Sequence, residues 1–395
     1  MISRKLLDRL LVDAARFPAI TVVGPRQSGK STLVRAAFPD HAYVNLERPD
    51  QRDAAREDPR ALLARWPNGA IFDEVQNVPS LLSWIQASID DDPRPGRFIL
   101  TGSNQHALSA AIAQSLAGRT DVLTLLPPDR EEIVAFPTAP RDIWTALWTG
   151  AFPRILDAGI PADHWLGSYV ATYVERDVRA VLNVVDLLAF STFLRLTAAR
   201  TGQEVNLTSL GADAGVTHPT ARSWLSVLEA SFLVIRLPAW HRNTRKQLVK
   251  APKLHLVDTG LAAWLLAIRS PDELRGHPLR GAVFESWVAT ELWKQRLHVG
   301  LVPRMFHWRE TRGAEVDVVV DDGAVLWLVE VKSGATIASD WFRPLNAAVA
   351  EARDDHPGRD VRGVIVYGGD EYAERHGIRV LPWSAIAELA PKAPG

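Results

Sequence analysis

The sequence of 395 residues contains no cysteine. That excludes disulfides, thiolate metal centres and cysteine nucleophiles, and it fits a cytoplasmic protein. Long hydrophobic runs are missing too. No apolar stretch reaches the roughly 18 residues a membrane span needs, so no membrane partner is expected. Residues 1–17 alternate charge with leucine at helical spacing, without the order of a signal peptide. Net charge is nearly absent, −1 at pH 7, so any nucleic-acid site must be a local patch. Lysine is scarce beside arginine, a bias that a GC-rich genome explains and that says nothing of function. What is present is a soluble globular composition, 47% hydrophobic and 23% charged. The fourteen tryptophans are scattered and read as core packing. The length suggests two or three domains.

Punctuation along the chain sets the expected boundaries. Residues 1–135 alternate short apolar runs with helical patterns, which argues a parallel sheet covered on both faces. The expected strands are 19–24, 42–46, 70–72, 97–101 and 122–126. Prolines at 127, 128, 137 and 140 mark a break. Residues 136–200 read as a helical connector, 201–269 as helix, turn, helix and two short strands, and 270–395 as a second α/β unit. The fold class is therefore α/β, with a helical middle.

Gly24-Pro25-Arg26-Gln27-Ser28-Gly29-Lys30-Ser31, followed by Thr32, fits G-x-x-x-x-G-K-[ST], with a strand before it and a helix after it. Glycines let successive N–H groups point at phosphate oxygens, and the helix start adds free donors and partial positive charge. Lys30 supplies a point charge for the β- and γ-phosphates, and Ser31 an oxygen for Mg²⁺. Hydrolysis needs a second acidic site on a neighbouring strand. Asp73 is the candidate for the Mg²⁺ shell and Glu74 for orienting water. Ser103, at the end of the next strand, is placed to sense the γ-phosphate. Arg119 is a candidate finger that a neighbouring subunit offers to the site. ATP and Mg²⁺ are the expected cofactors, and a homo-oligomer the expected state.

In the middle, Leu207–Val216 reads as helix and turn, Thr217 as an N-cap and Thr220–Glu229 as a second helix. A strand and a basic loop follow, with Arg242, Arg245, Lys246, Lys250 and Lys253. That is the layout of a winged helix-turn-helix with a basic wing able to neutralise DNA phosphates. Arg222 is the one residue of note on the second helix for reading bases, so little sequence preference is expected.

Near the C-terminus, Glu285 lies on an expected helix and Asp317 ends an expected alternating strand, 314–320. Glu330 and Lys332 share one face of the next strand by period two. This set resembles the PD-(D/E)xK nuclease core, in which acids hold Mg²⁺ and lysine assists the attacking water. Without metal, three such carboxylates repel, so one is expected to hold a proton or to pair with Arg309 or Arg312.

Taken together, Gly24–Ser31, Phe72–Gln76, Leu100–Ser103, Leu116–Arg119, Lys253–Gly260, Phe284-Glu285, Glu315–Asp317 and Glu330–Lys332 resemble a prokaryotic group of AAA+ ATPases. Its members carry an N-terminal ATPase module and a C-terminal module of unknown function. The resemblance implies a ring-forming ATPase with a helical lid. The leading expectation is an ATP-driven motor or switch acting on DNA. An ATP-regulated nuclease and an ATP-dependent protein-interaction switch are the alternatives.

Overall fold

The computed structural model describes residues 2–103, 112, 114–178, 186–240, 251–309 and 315–391. They form two compact units. The first comprises Met1–Pro128 with Ala230–Phe232 and Leu297–Leu301, and the second comprises the rest.

Five parallel strands build the first unit: β1 Ala19–Val23, β2 Ala42–Asn45, β3 Ala70–Asp73, β4 Phe98–Gly102 and β5 Thr120–Thr124. Their order is β2-β3-β4-β1-β5. β1, β3 and β4 are buried along their whole length, because helices cover both faces and only apolar runs fit such strands. Period two divides β1 between the faces. Ala19 and Val23 pack with Phe72, Phe98 and Ile85, the last from helix α3, Leu81–Asp91. Ile20 and Val22 pack with Leu6 and Leu10 of an N-terminal helix (α1, Leu6–Ala14) and with Leu33 of α2, Lys30–Ala37. The last strand lies two residues earlier than its apolar run suggests. All five strands end on the same edge, where open parallel sheets bind ligands.

In the second unit, α4 (Leu187–Ala199), β6 (Gln203–Glu204), α5 (Leu207–Asp213), α6 (His218–Ala230), β7 (Val234–Leu237) and β8 (Lys253–Leu256) follow in turn. β8 pairs antiparallel with both β6 and β7. Asn206 caps α5 by accepting from the Ser209 N–H at 3.0 Å. One apolar core runs from Phe152 through Phe193, Trp224 and Leu256 to Leu265. The connector helices and the helix-turn-helix therefore share their packing. Arg222 is exposed on α6. Arg242, Arg245, Lys246, Lys250 and Arg312 lie outside the described residues.

A six-stranded mixed sheet follows. It is built from β9 (Met305–Arg309), β10 (Glu315–Asp321), β11 (Val325–Lys332), β12 (Asp360–Tyr367), β13 (Ala373–Arg375) and β14 (Ile378–Pro382), in the order β13-β14-β12-β11-β10-β9. β9 to β11 are antiparallel neighbours, whereas β11, β12 and β14 run parallel. Before it comes helix α8, numbered after the short α7 (Thr259–Leu265), and spanning Arg280–Leu297. Val283, Phe284, Ser286, Trp287, Val288 and Ala289 are all buried on α8, so it shows no single apolar stripe. The chain leaving β7 runs beside β9: Trp240 N–H donates to His307 O at 2.5 Å, and His307 N–H to Pro238 O at 3.0 Å. This joins the small sheet to the large one.

Candidate active site and a second acid cluster

The loop after β1 is shaped by positions that only certain residues tolerate. A Cβ at Gly24 would lie 2.1 Å from the Leu125 carbonyl oxygen, so the loop passes β5 only as glycine. Gln27 (φ 64°) and Gly29 (φ 97°) are left-handed, and Gly29 is the N-cap of α2. As at any helix start, the first-turn N–H groups of α2 lack intrahelical partners and offer donors to an anion at the loop. Lys30 is buried, and its ammonium donates to Gly24 O at 3.0 Å and Pro25 O at 2.9 Å. Burial holds this lysine below its ordinary pKa, against the opposing charges of Glu74 and Asp73. Arg26 pairs with Glu47 at 2.8 Å, and Thr32 is exposed. Arg4, which the motif does not announce, braces the loop: its guanidinium donates to Ser28 O at 2.9 Å and Leu126 O at 2.8 Å.

Beside the loop, Asp73 ends β3 and collects three hydroxyls. Ser31 donates at 2.8 and 3.0 Å, Tyr43 at 2.5 Å, and Thr101 to the Oδ1 oxygen. Glu74 follows in a left-handed conformation, φ 56°, with its N–H on Thr101 Oγ1 at 3.1 Å. Its Oε2 accepts from Ser103 Oγ at 2.8 Å and from Gln76 Nε2. Burial alone would raise this carboxyl, but Lys30 and the two donors keep it below its usual range. An anion seated on the loop, a hard cation between Ser31 and Asp73, and a charged acceptor at Glu74 all fit this arrangement. The Ser28 hydroxyl is buried without a protein partner among the described residues, which suits a further ligand.

Arg119 pairs with Asp90 of α3, Nε to Oδ1 at 2.7 Å, on a partly exposed surface. It precedes β5, so it sits at the sheet edge opposite the loop, one strand length of roughly 17 Å away. Its own loop is out of reach.

In the second unit the four expected residues do come together, with two others, Lys253 and Glu315. Lys253 does not belong to the basic wing, as its place in the sequence suggests. It opens β8, is buried, and puts its ammonium 3.0 Å from Glu285, 3.2 Å from Glu315 and 3.6 Å from Asp317. Lys332 donates to Glu330 at 2.6 Å, as their shared strand face requires. Asp317 does not end its strand: it is the third residue of β10, and its Oδ2 accepts the Val331 N–H of β11 at 2.8 Å. The cations paired with these acids are Lys253 and Lys332, and Arg309, expected there, lies 3.6 Å from Glu204. Burial and the charge of Asp317 push the Glu285 carboxyl up to about 8, and the same two causes push Glu330 to about 7. The carboxylates suit a hard cation by type. The position among Glu285, Glu315 and Asp317, however, is taken by the Lys253 ammonium.

Residues 16–134 match the sequence model of a family described as an AAA domain. The N-terminal module is an AAA-type P-loop ATPase. Two further families, both described as domains of unknown function (DUF8612 and DUF4143), match residues 140–272 and 280–386. The DUF8612 match spans the connector and the helix-turn-helix together. Over 325 residues the chain is 27% identical to an uncharacterized protein of Mycobacterium tuberculosis and equally to one of Mycobacterium bovis; each match covers 81% of this chain and 71% of the relative. Among solved structures, a Walker-type ATPase of Pyrococcus abyssi superposes with a TM-score of 0.48 at 15% identity, covering 66% of this chain and 94% of the other. A STAND-type signal transduction ATPase of Pyrococcus horikoshii gives 0.23 at 11% identity, covering 76% and 47%. No helix among the described residues is long and apolar enough to cross a membrane.

Proposed function

We propose that the chain is a Mg²⁺-dependent ATP hydrolase working as a motor or switch on DNA. The observation that carries the catalytic part is the Ser31–Asp73 contact at 2.8 Å, made on a loop whose lysine donates to the carbonyls of Gly24 and Pro25. In this reading the phosphates take Lys30 from Gly24 and Pro25, and the N–H groups at the start of α2 hold their oxygens. Ser31 and Asp73 are the residues that would hold a Mg²⁺, which would supply positive charge beside the phosphates. Glu74, charged and fixed by Ser103 and Gln76, orients the attacking water and takes its proton. Arg119 completes the site of a neighbouring copy, since its own loop lies at the far edge of the sheet. That requires Asp90 to release it and makes hydrolysis depend on assembly.

What supports DNA is the order helix, strand, helix, helix, strand, strand from α4 to β8, which we read as a winged helix, together with the exposed Arg222. The sequence between β7 and β8 adds Arg242, Arg245, Lys246 and Lys250. The nuclease alternative is not adopted, because Lys253 fills the position a metal would need. The test is the ATPase rate with and without single-stranded, duplex and branched DNA. Stimulation by one of them is expected. An unchanged rate with all three, and no binding, removes DNA from this reading and leaves the protein-interaction switch.

A further inference from the structure

We propose that Lys253 is the permanent counter-ion of the C-terminal acid cluster and bars divalent metal from it, so that this nuclease-like sheet carries no metal-dependent cleavage. The geometry is that of a filled site. One ammonium with three donors meets carboxylates from α8 and β10 at 3.0, 3.2 and 3.6 Å. Only 5% of its side chain reaches solvent. Lys332 pairs with the remaining acid, Glu330, at 2.6 Å.

The lysine is also held from behind. β8 is paired on both sides: Lys253 stands opposite Glu204 of β6 and Leu237 of β7. Two residues on, His255 shares its face by period two and is fully buried, with Nδ1 3.0 Å from Ser286 Oγ of α8. Ser286 in turn bonds Thr201 at 2.8 Å, and the Thr201 hydroxyl accepts the Leu256 N–H at 3.1 Å. The β8–α8 seam is thus pinned at Lys253–Glu285 and again at His255–Ser286. For a metal to take these oxygens, the Lys253 ammonium must give up its three acids while its strand stays paired on both sides. A buried charge stripped of its partner is strongly unfavourable, whereas Mg²⁺ or Mn²⁺ gives up much hydration to gain the same oxygens.

Bound Mn²⁺, counted by electron paramagnetic resonance on nucleotide-free full-length protein, tests this. The readout involves neither DNA nor ATP, so its failure is distinguishable from failure of the ATPase and DNA readings and would reopen only the nuclease alternative. The parent and Asp317→Asn should bind the same number of Mn²⁺ ions. Lys253→Met should gain one per chain, and that ion should vanish in Lys253→Met combined with Asp317→Asn. Lys253→Arg, which keeps the charge, should keep the parental Mn²⁺ count and melting temperature. Fewer ions in Asp317→Asn than in the parent would overturn the proposal, and that comparison stands even if Lys253→Met does not fold. A folded Lys253→Met that gains no ion would overturn it as well.

Discussion

Two of the buried lysines that sit beside carboxylates, Lys30 and Lys253, are used in opposite ways. Lys30 donates to the neutral carbonyls of Gly24 and Pro25, and burial holds its pKa down. At Lys253, burial works in the same direction, but Glu285 and Asp317 reverse it and hold the ammonium above its ordinary value. A phosphate can displace a carbonyl, because it brings full negative charge into the same place. Carboxylates already supply that charge. Equal burial and the same side chain therefore yield a ligand site in one unit and a closed ionic junction in the other.

The largest effect should separate binding from turnover at the first lysine. Lys30→Ala should lose ATP binding and hydrolysis together, since phosphate charge is left uncompensated. Glu74→Gln should keep binding and lose turnover by roughly 10²–10⁴-fold, because only the water-activating carboxylate is changed. Nucleotide titration and steady-state phosphate release check both. Parental turnover in Glu74→Gln would break the assignment of the acid.

Arg119 sharpens the same contrast, since its present partner, Asp90, is a carboxylate on a partly exposed surface rather than in a core. Such pairs are weak, so Asp90 is a small obstacle to the shared site proposed above. Arg119→Ala should slow turnover by about 10³-fold with nucleotide binding retained. Mixing it with Lys30→Ala subunits should recover part of the activity, each mutant supplying the half the other lacks. An undiminished rate in Arg119→Ala would defeat the shared site.

The ATP site is legible in the sequence because its motif fixes residue types at a fixed spacing on a strand–loop–helix. Asp73, Glu74 and Ser103 follow, since strand ends gather on one edge. Arg4 is not legible: it lies twenty residues before the loop in sequence, at the start of a leucine-rich helix, and only the folded sheet brings it to Ser28. Lys253 is hidden for a different reason. It follows a run of basic residues, and all four residues of Lys-Leu-His-Leu are buried, so the strand shows no polar face to mark it as special. The period-two link between Lys253 and His255 is the available signal. β6 is two residues long, below what any pattern marks, and α8 hides its faces by being buried all round.

A smaller effect is expected for DNA, where cations meet hydrated phosphates instead of fixed acids. Neutralising Arg242, Arg245 and Lys246 together should flatten the slope of log affinity against log salt by roughly 0.9 for each phosphate no longer neutralised. Affinity should depend little on base sequence. Fluorescence anisotropy over a salt series measures both. An unchanged slope would move the DNA interface away from this segment.

The smallest effect should be at Arg4, and it tests whether neutral partners make the loop adaptable or merely loose. Arg4 resembles Lys30 in donating to carbonyls, those of Ser28 and Leu126, but no ligand is placed to take it away. It ties the loop that follows β1 to the segment that follows β5. Arg4→Met keeps most of the apolar stem and removes both donors, leaving two buried carbonyls without that bond. The loss is about 1–3 kcal/mol for such groups, part of it felt as stability and part as a less well-ordered loop. Nucleotide affinity should fall by about tenfold while the maximal rate at saturating ATP stays near the parent, because no group touching the γ-phosphate has changed. Arg4→Lys, with one charged head in place of a two-pronged one, should fall between the two. A lowered melting temperature with unchanged affinity would make Arg4 a brace for the sheet alone. A lowered maximal rate would mean that the loop shape it maintains extends to Glu74 and the attacking water.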